Sequence, residues 1–493
     1  MNQLIQMMEK MKSIFSQVVV YKNPQYSNFF QSLNIPSFLR DWLVMKFSGK
    51  GEKINFEEMQ EFISRYIPRR SDWERIKAEM VNEGRRARFL AKVQVTIDIQ
   101  SGEGLFQLPD FGFPRKRYEA RISGRLLREK KDELLLSSET WGVVELEWTP
   151  EGVKGRKDQG SIVMIDFTSF RPYTIDLDFY REARKEFSLE EWLDVLLLAV
   201  DYHPLGFLES QEKLTLLSRL LPFVEKRLNL VELAPKGTGK SYLFSQISKY
   251  GWLVSGGSMS RARLFYDLSR RETGLVSRYD YVALDEIQTI NFPDEEEIRG
   301  ALKGYLESGE YRVGDHHGVG EAGVVLLGNI SQESMDENRN MLRELPRVFH
   351  ESALLDRFHG FIKGWEIPRM RENMKAEGWG LNTEYFSEVM HALRDDVRYA
   401  GVVDEMVLVP KGADTRDTRA VKRLATAWLK LLFPHVTQPG EMNPKTDFKS
   451  YCLEPALKMR GLIRRQLHLM DAEYTSVLPQ IEVLGSEGFE GCN

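Results

Sequence analysis

The chain has 493 residues, 42% of them hydrophobic and 29% charged, with a formal net charge of −5. This is an ordinary globular balance in a chain too long for one hydrophobic core, so about three domains are expected. Two cysteines, Cys452 and Cys492, exclude a disulfide framework and a four-cysteine zinc site. No apolar run approaches the roughly 18 residues that span a bilayer, so the expectation is a reduced, cytoplasmic protein with no membrane partner.

The opening stretch, MNQLIQMMEKMKSIFSQVVV, carries Glu9, Lys10 and Lys12 among its apolar residues. It predicts an amphipathic helix and not a signal peptide. Residues 1–85 read as a helical N-terminal region, with Phe56, Met59, Phe62 and Ile63, then Trp73, Ile76 and Met80, at helical spacing. Residues 86–180 read as β-rich, with short alternating runs at 89–99, 117–127, 142–148 and 161–167. A small barrel or a sandwich fits, and an OB-like barrel is one option that the pattern does not separate from others. Residues 181–227 form a helical connector, with Leu189, Trp192, Leu193, Leu196, Leu197 and Val200 in register.

Residues 228–375 alternate apolar strands (228–233, 252–256, 281–286, 323–329) with helices, the order of a parallel α/β sheet. Residues 376–437 return to helix, with Val421, Leu424, Ala425, Trp428, Leu429 and Leu432 on one face. Residues 438–493 are a polar tail with one amphipathic stretch near 455–470. Residues 1–160 hold 27 Lys and Arg against 22 Asp and Glu, a net of +5, which leaves −10 for the rest. The front third is the better contact for a polyanion, and a plain solvated surface is the competing reading.

The strongest chemical signal is APKGTGKS: Ala234, Pro235, Lys236, Gly237, Thr238, Gly239, Lys240 and Ser241. It follows a predicted strand and opens a predicted helix, the context a phosphate-binding loop requires. Gly237 and Gly239 let the backbone turn its N–H groups toward phosphate, and the helix N-terminus adds dipole charge. Lys240 reaches the β- and γ-phosphates of ATP, and Ser241 binds Mg²⁺. Ala234 stands where the usual pattern has Gly.

YVALDE (281–286) follows about 45 residues on. An apolar strand ending in two acids is costly unless they meet a cation. Asp285 is the expected second Mg²⁺ contact, and Glu286 the residue that polarises the attacking water. GVVLLGN ends in Asn329, placed to hold that water or the γ-phosphate, or else to cap the following turn.

These motifs, with LLDRF (354–358) and DTRAVKRLATA (417–427), resemble the AAA+ ATPases, and MCM-like helicases in particular. The resemblance implies a P-loop α/β AAA+ core with a helical lid over 376–437. It makes Arg357 the arginine finger acting on a neighbour's γ-phosphate and Arg419 the sensor-2 arginine. Arg343 and Arg347 are rival fingers. LLDRFHGFIKGWEIPRM (354–370) and GALKGYLESGEYRVGDHHGVGEAGVVLLGN (300–329) are similar to the BrxL family, Lon-related AAA+ proteins of BREX phage-defence systems. That resemblance covers about residues 10–470. It implies an N-terminal DNA-binding region and homo-hexamers that can stack as a double hexamer (dodecamer) on double-stranded DNA, with other BREX components as further partners. Longer members continue into a protease-like domain, and the roughly 55 residues after the lid are too few for one, so no proteolysis is expected.

SGEYRVGDHHGVGEAG predicts either a hairpin that contacts DNA in the ring's pore or a solvated turn, with Arg312, His316 and His317 as contacts and Lys303 on the preceding helix. The histidine pair lacks a third ligand at zinc spacing. In the N-terminal part, Arg69, Arg70, Arg85, Arg86, Arg115, Lys116 and Arg117 are candidate phosphate contacts, interleaved with Phe89 and Tyr118 as candidate stacking platforms. The competing functions are an ATP-driven protein unfoldase, for which Tyr311 is the one candidate aromatic grip, and an ATP-dependent assembly scaffold.

Overall fold

The computed structural model describes residues 2–33, 35–48, 54–99, 101–116, 118–135, 140–150, 160–269 and 271–484. Arg117 and Cys492 lie outside them. The chain forms two compact units, one of residues 43–174 and one of residues 1–42 with 175–493.

The larger unit begins with the amphipathic helix Asn2–Phe15, which buries Leu4, Met7, Met8, Met11 and Phe15. The helical expectation for residues 1–85 fails just beyond it. β1 (Val19–Lys22) is a strand. Its antiparallel partner Gly378–Leu381 lies far along the chain, so local periodicity could not show the pairing.

In the smaller unit the helices Phe56–Tyr66 and Trp73–Glu83 precede a closed five-stranded barrel. Its strands are β2 (Ala87–Asp98), β3 (Glu103–Gln107), β4 (Ala120–Ile122), β5 (Thr140–Thr149) and β6 (Ser161–Ser169). They close in the order β2-β3-β4-β6-β5. β4 and β6 run parallel and the other pairs antiparallel. β2 serves two neighbours: Ala87–Val93 pairs with β5 and Gln94–Asp98 with β3. Trp73 packs into this barrel with Phe89, Phe106, Phe111, Phe113, Val144, Met164 and Phe167.

The larger unit resumes with helices Leu177–Lys185 and Leu189–Ala199; Ser188 and Glu191 form a reciprocal cap at the start of the second. Its sheet contains β7 (Leu230–Ala234), β8 (Gly251–Ser255), β11 (Tyr281–Asp285), β14 (Gly323–Asn329) and β15 (Gly360–Lys363). The order is β15-β7-β14-β11-β8, with every pair parallel. β7 and β11 are buried at every residue, as expected of parallel strands covered on both faces. Two small hairpins interrupt the alternation: β9 (Tyr266–Asp267) with β10 (Glu272–Thr273), and β12 (Glu310–Val313) with β13 (His316–Val319).

After β16 (Gly378–Leu381) the chain is mainly helical: Thr383–Arg394, Arg398–Met406, Thr415–Leu432 and Glu454–Met470. Asn382 caps the first of these and Asp414 the third, each side chain accepting two backbone N–H bonds. Among the described residues, no helix is long and apolar enough to cross a membrane.

Candidate functional site

β7, β14 and β11 are adjacent, so the sheet brings the ends of three motifs together. Asn329 lies opposite Ala234 in register, and Asp285 ends the next strand. Ligands of open α/β sheets bind at this C-terminal edge.

The loop 234–241 leaves β7 and enters the helix Lys240–Gln246. Gly237 and Gly239 have φ of 85° and 76°, the left-handed region that favours glycine. At Gly239 space also demands it, because a Cβ would stand 2.3 Å from the Tyr202 hydroxyl. The Lys240 ammonium donates to Asn329 Oδ1 at 3.2 Å, Ala234 O at 3.3 Å and Pro235 O at 3.5 Å. Burial lowers its pKa, opposed by the charges of Glu232, Asp285 and Glu286. Ser241 Oγ donates to Asp285 Oδ2 at 2.5 Å. This hydroxyl and buried carboxylate are the hard oxygen donors that Mg²⁺ takes, so the pair fits the ion. Asp285 Oδ1 accepts the Glu286 N–H at 2.9 Å. Glu286 is exposed and has φ of 46°, a costly left-handed turn for a non-glycine residue that takes it out of the strand line.

The sequence reading missed the foundation of this site. Arg219 and Glu232 are both 0% exposed and pair at 2.6 and 3.0 Å. Arg219 also donates to Thr238 O at 2.8 Å and Thr238 Oγ1 at 3.2 Å, fixing the loop from beneath. Burial works against the charge, but Glu232 outweighs it and raises the Arg219 pKa. The one available signal was an acid inside the apolar run LNLVEL. Gln288 was missed too; its amide donates to Asn329 O at 2.8 Å and accepts from Asn329 N at 3.3 Å. One residue past Ser241, the Tyr242 hydroxyl donates to Asp201 Oδ2 at 2.7 Å and pairs with Ser37 Oγ at 2.8 Å.

Arg357 and Arg419 are not brought to this loop. Arg357 pairs with Glu307 at 3.1 Å, and Arg419, 74% exposed, approaches the same carboxylate at 3.6 Å. Neither makes a hydrogen bond or ion pair to residues 234–241 among the described residues. Arg343 and Arg347 are exposed.

The 310–319 segment is a hairpin in which Tyr311 and Val313 are buried and Arg312 lies opposite His317 on the exposed side. His316 stacks on Tyr266, with ring centroids 3.5 Å apart. Lys303 pairs with Glu351 instead of extending freely. The β9–β10 hairpin, not anticipated from sequence, lies alongside, with Leu268 against Gly314.

In the barrel unit, Arg69, Arg70, Arg115 and Lys116 are exposed. Arg85 pairs with Glu83 at 3.0 Å, and Arg86 with Glu147 at 3.1 Å and Glu145 at 3.5 Å. Phe89 corrects an expectation. It is 2% exposed, in the barrel core against Trp73 and Phe111, and cannot stack on a base. The Tyr118 hydroxyl is committed to Asp98 at 2.9 Å.

Residues 162–480 match the family model described as "Lon-like protease BrxL-like, ATPase domain". Residues 13–148 match "BREX system Lon protease-like protein BrxL N-terminal". The Lon-like protease BrxL of Escherichia coli O9:H4 (strain HS) is 29% identical over 443 residues, which cover 89% of this chain and 61% of the relative. The Lon-like protease BrxL of Bacillus cereus (strain H3081.97) is 34% identical over 310 residues, 62% of this chain and 45% of the relative. The chain thus spans less than two thirds of the length of these relatives. It belongs to the BrxL family of BREX-associated, Lon-like proteins, and its parallel sheet is the AAA+ core of that family's ATPase domain.

Proposed function

We propose that this chain is the subunit of an Mg-ATP-hydrolysing ring motor that translocates along or remodels double-stranded DNA in BREX phage defence. The observation that carries the reading is a divided catalytic set. Lys240, Ser241, Asp285, Glu286 and Asn329 meet at the sheet edge, while Arg357 and Arg419 are held on Glu307. A site short of γ-phosphate cations, in a chain that holds its candidate cations away from that site, is what a ring of identical copies would complete.

Backbone N–H groups of 237–241 cradle the phosphates and Lys240 bridges the β- and γ-phosphates. Ser241 and Asp285 would hold Mg²⁺, which would supply positive charge against the developing phosphate charge. Glu286 takes the proton of the attacking water as its oxygen bonds to the γ-phosphorus and the bond to the β–γ bridging oxygen breaks. Asn329 orients this water, and a neighbour's Arg357 and Arg419 stabilise the transferring group. The helices from Thr383 onward act as the lid.

DNA is the favoured track for three reasons. Residues 1–160 carry a net +5. A closed five-stranded barrel supports an OB-like reading, and OB folds bind oligonucleotides. Arg312 and His317 share the exposed side of a hairpin. Tyr311 is 4% exposed, which leaves the unfoldase reading without its aromatic grip. Double hexamers, other BREX components and a cytoplasmic location belong to the same proposal.

Sedimentation of Glu286→Gln with ATP and a labelled duplex tests this. The expected result is an ATP-dependent ring carrying duplex whose affinity falls steeply with salt. A protein that stays monomeric with ATP, or rings that ignore duplex at low salt, would overturn it.

A further inference from the structure

Glu307 stands in the last turn of the helix Glu295–Ser308 and gathers more positive charge than one carboxylate can balance. Its Oε2 accepts a hydrogen bond from Arg416 Nε at 3.3 Å and lies in ion-pair contact with Arg357 Nε at 3.1 Å, and its Oε1 faces Arg419 Nη1 at 3.6 Å. Arg416, which the motif comparison passed over, lies three residues before Arg419 on the same face of the Thr415–Leu432 helix. It also reaches Asp356 at 3.0 Å, tying the helix to the loop that carries Arg357.

Asp356 serves Arg416 and, at 2.6 Å, the fully buried Arg460, which Asp417 shares at 2.7 Å; among the described residues Arg357 and Arg419 have ion pairs with Glu307 alone. Arg460 also donates to Asp356 O at 2.9 Å and Phe358 O at 2.8 Å, so the arginine-bearing loop and the helices behind it are one braced body. Three guanidinium groups therefore converge on a carboxylate whose side chain is 35% exposed. A triphosphate, with several charged oxygens, would satisfy this cluster better than Glu307 does.

We propose that Arg416 is a third cation acting on a neighbour's triphosphate beside Arg357 and Arg419, and that Glu307 is a positioning residue that holds the three together until the triphosphate displaces it. The inference rests on the ring ATPase reading above. Glu307 competes with the nucleotide for the same donors. Removing its charge without changing its shape therefore strengthens the ATP-bound interface.

Glu307→Gln is the first test. The expected result is a rise in kcat/KM for ATP of about threefold to tenfold, carried mainly by a lower KM, with the melting temperature little changed. The gain should shrink in an Arg357→Ala background, which removes one of the three donors that Glu307 holds. A purely structural ion pair predicts the reverse: kcat/KM falls, or it rises regardless of Arg357, and either result would overturn the role of Glu307.

The second test mixes subunits. Arg416→Ala lacks the trans contribution and Lys240→Ala lacks the phosphate loop, so each alone should be nearly inactive. Mixed rings should regain turnover, because a Lys240→Ala copy lends its Arg416 to an intact neighbouring loop. Failure to regain turnover would place Arg416 outside the trans set. If Lys240→Ala alone keeps wild-type turnover, the ATPase reading itself fails, and that failure is distinct from the other two.

Discussion

Replacing Arg219 by Ala leaves the Glu232 carboxylate, 0% exposed, without its cation. Breaking one side of a buried pair costs about 3–5 kcal/mol. At roughly 2–4 °C per kcal/mol for a large domain, the melting temperature should fall by about 6–20 °C. The same change strips two donors from Thr238, at 2.8 and 3.2 Å, and frees the phosphate loop. The double variant Arg219→Met with Glu232→Leu separates these effects. It leaves no unpaired charge, so stability should return to within about 2 °C of wild type. The loop anchors stay lost, and a hydrogen bond from a charged donor is worth about 1.5–3 kcal/mol, so loss of one anchor's worth in the ATP-bound loop should lower affinity tenfold to about a hundredfold. Calorimetry and titration with a fluorescent ATP analogue read the two quantities. A single variant melting within about 2 °C of wild type, or a double variant binding nucleotide normally, would refute the claim that this pair supports the loop.

Glu286→Gln should retain ATP yet turn it over about a hundredfold or more slowly, measured by phosphate release; wild-type turnover would remove Glu286 from its role. Asn329→Ala removes the side-chain acceptor 3.2 Å from the Lys240 ammonium, and turnover should fall by about tenfold while ATP still binds. An unchanged rate would leave Asn329 as a turn residue. Glu384 gives a pH signature. Burial pushes its carboxyl from 4.5 up to about 7, against the opposing charge of Lys249 and with help from Glu388. The folded state thus keeps a proton that the unfolded chain releases, so this contribution is full below 4.5 and is lost as pH rises to about 7. The melting-temperature advantage of wild type over Glu384→Gln should shrink between about pH 5 and about pH 7.5, and a constant difference would contradict it.

The sequence carried the nucleotide site well because its chemistry is local: a glycine loop between strand and helix, and polar residues ending apolar strands. Apolar runs such as YVAL also announced parallel strands buried on both faces. What sequence concealed is non-local. Arg219 sits in the apolar stretch LLSRLLPFV, and only the fold brings it under Thr238. β1 reads as the frayed end of a helix until Gly378–Leu381 pairs with it. Lys22, on that strand, is buried beside Asp201 at 2.8 Å and Asp41 at 3.2 Å, which no local pattern could announce. Phe89 illustrates the limit of alternation: a period of two separates the strand's faces, but only barrel closure says which one is inside.

The most direct test of the motor is steady-state ATPase activity with and without duplex DNA, beside a Lys240→Ala control. Strong stimulation by duplex, absent in the control, is the predicted result. Turnover that depends on Lys240 but is indifferent to DNA would contradict the DNA motor.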